Sequence, residues 1–258
     1  MPRAGDVSPA SGTETLHVFA CHACAQTSLP VAIGGRGRHA VIINTEGSFP
    51  VRRMRTMAFA VWAGMGAGER AACEAAGMSR DDLWSHHLVL DAHGADDLER
   101  ACRGVISAAR RPGHGGRVAG AVLIDSVAAP FRVRDPDEAG GAAKAASTER
   151  RWYGVRARAL LGMAGRLREL AEECGVPVVV TNQATAVVAG DDAAFEDAAP
   201  ALGMAWAHAA HVRVILRRRR AVADARRRML QLVFHPAAAP GACECVLGER
   251  GLRDAGED

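Results

Sequence analysis

Lysine is almost missing from this chain: of its 32 Lys and Arg residues only Lys144 is a lysine. Aromatic side chains are scarce too, at 4%, while Ala, Gly and Arg abound, a skew that reads as coding bias. No apolar run approaches the ~18 residues that a bilayer-spanning helix needs, so no membrane partner is expected. No secretory leader precedes the seven cysteines, and an odd number of them lies scattered through apolar stretches. Reduced thiols in a cytosolic or nuclear setting are therefore expected, without structural disulfides.

What is present suits one large α/β core. The 258 residues are 49% hydrophobic, and a net charge of +3 permits an anionic partner without requiring one. Residues 1–14 are small, polar and broken by Pro2 and Pro9, so they read as a disordered lead-in to a core spanning 15–258. From Leu16 to Ala25 an apolar stretch fits either a helix or a strand. His39–Asn44, His86–Asp91, Val118–Ile124 and Pro177–Asn182 are short continuous apolar runs, as expected of strands buried on both faces of a parallel sheet. Asp96–Arg110 and Val155–Cys174 carry apolar residues at helical spacing. The alternation predicts a doubly wound α/β domain. His211–Leu216, Met229–Phe234 and Ala242–Leu247 then follow without helices between them, which predicts an antiparallel extension of the sheet.

Chemistry collects at the ends of these strands. VLIDSVAAPFR at 122–132 is a buried strand that delivers Asp125 and Ser126 at its carboxyl end, where open α/β sheets bind ligands. A carboxylate there has the placement that holds nucleotide-bound Mg²⁺ through water; an ordinary strand-end Asp capping the next turn fits the same string. Together with HAVIINTEGSFPVRRM at 39–54, VVVTNQATA at 178–186 and PALGMAWAHAAHVRVIL at 200–216, the string resembles eukaryotic RecA-type DNA recombinase paralogues, from about Leu29 to about Arg253. These motifs stand in the family's order with compatible spacing.

The resemblance implies a RecA-like P-loop ATPase core that binds ATP and Mg²⁺. It places Glu46 at the water-activating glutamate, Gln183 at the switch glutamine, Asp125 and Ser126 at the nucleotide-bound Mg²⁺, and His208 at a histidine that senses nucleotide across a subunit interface. Residues 131–153 match the family's first DNA loop, with Arg132, Arg134, Arg150 and Arg151 as phosphate contacts and Trp152 or Tyr153 available for stacking. Residues 184–199 match the second loop, yet carry Asp191, Asp192, Glu196 and Asp197 and no base.

A phosphate-gripping loop needs glycines followed by Lys and Ser/Thr, and no such string occurs. LPVAIGG at 29–35 resembles the end of the helix that follows that loop, which places residues 15–28 on the helix and leaves only SGTE at 11–14 before it. The expected fold therefore lacks the first strand and the Walker A loop, and the chain is expected to bind MgATP poorly. Cys21 and Cys24 share one apolar helical face rather than forming half of a zinc site, and His86–His87 have no partner motif. Arg217–Arg220 with Arg226–Arg228 make the densest positive charge, open to DNA backbone or to a merely solvated hairpin.

The expected function is that of a nuclear homologous-recombination protein working with DNA and other RecA-type paralogues at double-strand breaks and junctions. A catalytically inactive scaffold subunit is the alternative. A hexameric helicase with a RecA fold fits less well, since PFR after the Asp125 strand and NTEGSFP are recombinase-like.

Overall fold

The computed structural model describes residues 12–111, 119–131, 142–186, 198–200, 202–218 and 226–256. Its centre is a sheet of four parallel strands, β1 (Ala40–Asn44), β2 (Leu88–Asp91), β3 (Ala121–Asp125) and β4 (Val178–Val180), ordered β2-β1-β3-β4. The register sets Ile43 beside Leu90 and Ile124, and Asn44 beside Asp91 and Asp125, so the strands end level at their carboxyl edge.

Alternate residues feed two cores. Val41, Ile43, Val122 and Ile124 face α4 (Ala95–Ala109) and α5 (Ala142–Cys174), meeting Leu98, Cys102, Leu160, Met163 and Leu170. Ile42 and Leu123 face the opposite way, onto Val18, Cys21 and Cys24 of α1 (Gly12–Ser28) and onto Met54 and Met57 of α2 (Val51–Ala63). Each large side chain so buried is worth about 1.5–3 kcal/mol. A third cluster joins Leu29, Ala58 and Leu83 to Cys73 of α3 (Ala67–Ala75).

The run from Leu16 that fitted two structures is a helix, and it starts at Gly12, inside the segment read as a lead-in; residues 1–11 lie outside the described residues. α1 runs against the strands. Thr27, at its far end, lies against Gly120 just before β3, so closely that a Cβ on Gly120 would stand 2.5 Å from the Thr27 methyl. Its opening turns therefore stand at the carboxyl edge of the sheet.

Two differences from the sequence reading concern the second half. The antiparallel strands β7 (Arg213–Arg218), β8 (Arg227–Phe234), β9 (Gly241–Gly248) and β10 (Gly251–Asp254) form a sheet of their own, ordered β10-β9-β8-β7. It is not a hydrogen-bonded extension of the first: among the described strands β4 pairs only with β3 and β7 only with β8. Packing joins the two sheets instead, through Leu247 and Leu252 against the α1–α2 core and through His22, whose Nδ1 lies 2.9 Å from the Arg250 carbonyl. A short hairpin, β5 (Ala184–Ala186) with β6 (Ala198–Pro200), precedes α6 (Gly203–Ala207).

The other difference is the length of α5. It takes in residues 142–153, which the first-loop reading had placed in a flexible loop. Ala-rich sequence with Lys, Glu and Arg is strong helix-forming material, and it outweighs the loop signal of the glycines just before it. Among the described residues no helix is long and apolar enough to cross a membrane.

Candidate functional site

Polar side chains gather where the parallel strands end. β1 releases the chain into Asn44-Thr45-Glu46, β3 into Asp125-Ser126, and β4 into Thr181-Asn182-Gln183. Backbone bonds prolong the ladder past the strands and hold these segments side by side. Thr45 N–H donates to the Asp125 carbonyl at 2.7 Å, Thr181 N–H to Ile124 at 2.9 Å, and Val127 N–H to Thr181 at 3.0 Å.

On this frame Glu46, Ser126 and Gln183 meet. The Gln183 amide donates to both Glu46 carboxylate oxygens, at 2.6 and 2.8 Å, and the Ser126 hydroxyl donates to Oε1 at 2.5 Å. Thr45 closes the group: its Oγ1 donates to the Ser126 carbonyl at 2.5 Å and accepts the Ser126 N–H at 2.9 Å. The turn carrying Glu46 is fixed from behind, where Asn44 Nδ2 donates to the Gly47 carbonyl at 2.6 Å and to Asp91 at 2.8 Å. Gly47 sits at φ +65°, a conformation that favours glycine.

Asp125 belongs to a second, deeper group. Its side chain is 3% exposed; Oδ1 accepts from Thr181 Oγ1 at 2.7 Å, and Oδ2 lies 3.2 Å from Nε2 of His17, in the second turn of α1. Cys21, one turn further along the same helix face, has its thiol pushed up to about 12, chiefly by burial, with the Arg53 charge opposing and the Asp125 carboxylate adding to the shift.

The structure thus brings together Glu46, Ser126 and Gln183 directly, with Asp125 as the immediate chain neighbour of Ser126. His208 is not joined to them: it is exposed at the end of α6, without a hydrogen bond to the group among the described residues. Arg132 and Arg134 lie outside the described residues, and Arg150 and Arg151 lie on α5. In the basic stretch Arg227 pairs with Glu244 at 3.2 Å and Arg228 is 3% exposed, so that part is woven into the sheet. A cavity of about 550 Å³ lined by Arg36, Arg38, Glu172 and Glu173 opens at the opposite, amino edge, away from this chemistry. All seven cysteines are free thiols.

Sequence reading missed Thr45, Thr181 and Asp91, although each is a polar residue at or just past the carboxyl end of a parallel strand. It missed His17 altogether, since nothing in a helical stretch announces a partner more than 100 residues away.

A three-layer fold with two carboxylates, a glutamine and a serine at the carboxyl edge of a parallel sheet defines the RecA-like class of nucleotide-site architecture. The chain belongs to the Rad51 family, which it matches over residues 117–255. It is 31% identical over 242 residues to the DNA repair protein XRCC3 of Bos taurus, covering 91% of this chain and 64% of that protein. It is 28% identical over 233 residues to the DNA repair protein RAD51 homolog 3 of Cricetulus griseus, covering 88% of this chain and 56% of that protein. VLIDSVAAPFR at 122–132 resembles the X-ray repair cross-complementing group-three paralogue in particular, and the first of these relatives agrees with that likeness. The chain spans less than two thirds of the length of either relative.

The family implies ATP and Mg²⁺, and the residues present do not fit them. A hydrated Mg²⁺ needs carboxylate oxygens open to water. Here the Asp125 oxygens are buried against Thr181 and His17, and both Glu46 oxygens are bound by Gln183.

Proposed function

We propose that the chain is a subunit of nuclear homologous-recombination repair that works with other RecA-type paralogues on DNA at double-strand breaks and junctions, as a docking core rather than an ATPase. The observation that carries the reading is the engagement of both carboxylates. Glu46 would have to orient water toward a phosphate, yet Gln183 holds both of its oxygens. Asp125 would have to face a hydrated cation, yet it faces His17 and Thr181. The same residues still join the ends of β1, β3 and β4, so they hold the carboxyl edge together as a structural knot.

Family membership supports the recombination role, and both relatives carry the words DNA repair in their names. Titration calorimetry with MgATP is the test. No heat up to millimolar nucleotide is expected, together with co-purification of the chain with RecA-type paralogues. A micromolar isotherm would overturn the docking-core reading and restore the ATP-coupled one.

A further inference from the structure

We infer that His17 stands against Asp125 in the place a divalent cation would take, and that this side chain is what closes the site to metal. The inference rests on the reading of the carboxyl edge as a site shut to MgATP and names the residue responsible.

The geometry singles out His17. Asp125 ends the buried strand β3 at 3% exposure, so its carboxylate has lost nearly all contact with water. An isolated buried carboxylate is strongly disfavoured and needs a cation or donors close by. Thr181 supplies one donor, to Oδ1. Among the described residues Oδ2 has no hydroxyl or backbone donor, and the group that faces it is His17 Nε2, at 3.2 Å. The His17 side chain is itself 20% exposed, so the ring that meets Oδ2 is reached by solvent where the carboxylate is not. The opening turns of α1 stand at this edge, and the positive end of a helix dipole adds to the stabilisation of a carboxylate there. Asp125 is therefore faced from within the chain, by Thr181 at one oxygen and by the His17 ring at the other. Cys21, one turn along α1 from His17, lies close enough to feel both the Asp125 carboxylate and the Arg53 charge. A hydrated divalent ion cannot reach Oδ2 while the ring is in place, because ring and ion require the same volume.

The test uses the full chain and the metals alone, without nucleotide. Mn²⁺ binding is followed by electron paramagnetic resonance, and melting temperature is measured in MgCl₂ against NaCl of equal ionic strength. The wild type is expected to ignore both ions. His17→Ala opens the volume beside Oδ2 and should bind Mn²⁺ at least about tenfold more tightly, with a melting temperature that Mg²⁺ raises by a few degrees through preferential binding to the folded state. His17→Ala combined with Asp125→Asn should lose both responses. His17→Gln, which keeps a donor beside Oδ2, serves if the alanine variant does not fold; it should remain metal-blind yet fold as the wild type does. A folded His17→Ala protein that stays blind to both ions overturns the role given to His17 and leaves the docking-core reading standing. A wild type that binds Mn²⁺ through Asp125 overturns both.

Discussion

Gln183 reaches across 137 positions of sequence to donate two hydrogen bonds to Glu46, so the segments following β4 and β1 are joined through one amide and one carboxylate over the end of β3. Hydrogen bonds to a charged group contribute about 1.5–3 kcal/mol. Gln183→Ala should therefore lower unfolding stability by about 1–2 kcal/mol, some being returned by water at this half-buried place. Combined with Glu46→Ala in a double-mutant cycle, it should show a coupling of about 1 kcal/mol, within the range measured for contacting residues. Urea denaturation of the four proteins decides it, and strictly additive losses would mean that the pair holds nothing together.

The antiparallel sheet is tied to α1 at one tight place. Gly251 sits at φ +94°, and a Cβ there would stand 2.2 Å from Nδ1 of His22. The same nitrogen lies 2.9 Å from the Arg250 carbonyl. Gly251→Ala should cost at least about 2 kcal/mol from backbone strain and overlap together. Hydrogen exchange should locate the loss in β9, β10 and the middle of α1, with the parallel strands keeping their protection. His22→Ala in the same chain should return part of the loss by removing the overlap.

Much of this arrangement was legible in the sequence. The runs VIIN, VLID and VVVTN are apolar on both faces and end in polar residues, which is enough to place a buried parallel sheet with Glu46, Asp125 and Gln183 along one edge. The start of α5 was hidden because AGGAAKAAS mixes loop-forming glycines with helix-forming alanines. That the second sheet stands apart from the first was equally hidden, since alternation within a strand says nothing about which edge it joins. His17 was invisible for a related reason: its meaning lies in the register of α1 against β3, which packing alone decides.

Acid should loosen the fold through two half-buried histidines. His87 Nδ1 accepts the Ala40 N–H at 2.9 Å and its Nε2 lies 3.0 Å from the Leu83 carbonyl, which fixes a neutral tautomer. Burial lowers its pKa to about 4, with His39 and His86 nearby adding to the shift. Burial also holds His22 below the ordinary imidazole range. As pH falls through about 6.5 the unfolded chain takes up protons that the folded chain refuses. The stability given by the neutral rings is therefore full above that pH and is lost down to about pH 4, by no more than about 3 kcal/mol for His87. Urea midpoints at pH 7.5 and 5.0 should differ accordingly, and His87→Gln should flatten part of that slope. Equal midpoints in the wild type would mean that both rings are solvated.

Thiol labelling should separate the elements by the order in which they open. Cys243 is exposed, whereas Cys21 and Cys24 lie on α1, Cys73 on α3, Cys102 on α4, Cys174 on α5 and Cys245 on β9, all buried. Burial pushes the Cys21 and Cys102 thiols up to about 12, and raises Cys24 further. Only the thiolate reacts, so these groups wait for local or global opening before alkylation. Native protein at neutral pH should take up one equivalent of iodoacetamide quickly, at Cys243. Cys245, on β9 opposite Asp254, should follow, because the antiparallel sheet can part from α1 without disturbing the parallel strands. Cys21 and Cys24 should react last, at the rate of global unfolding, since α1 is fastened to the sheet both by the core around Val18 and by His17 at Asp125. His17→Ala should bring these two forward relative to Cys102, with Cys245 unmoved. Mass spectrometry of peptides quenched at intervals reads the order, and early labelling of Cys24 in the wild type would mean that α1 leaves the sheet on its own.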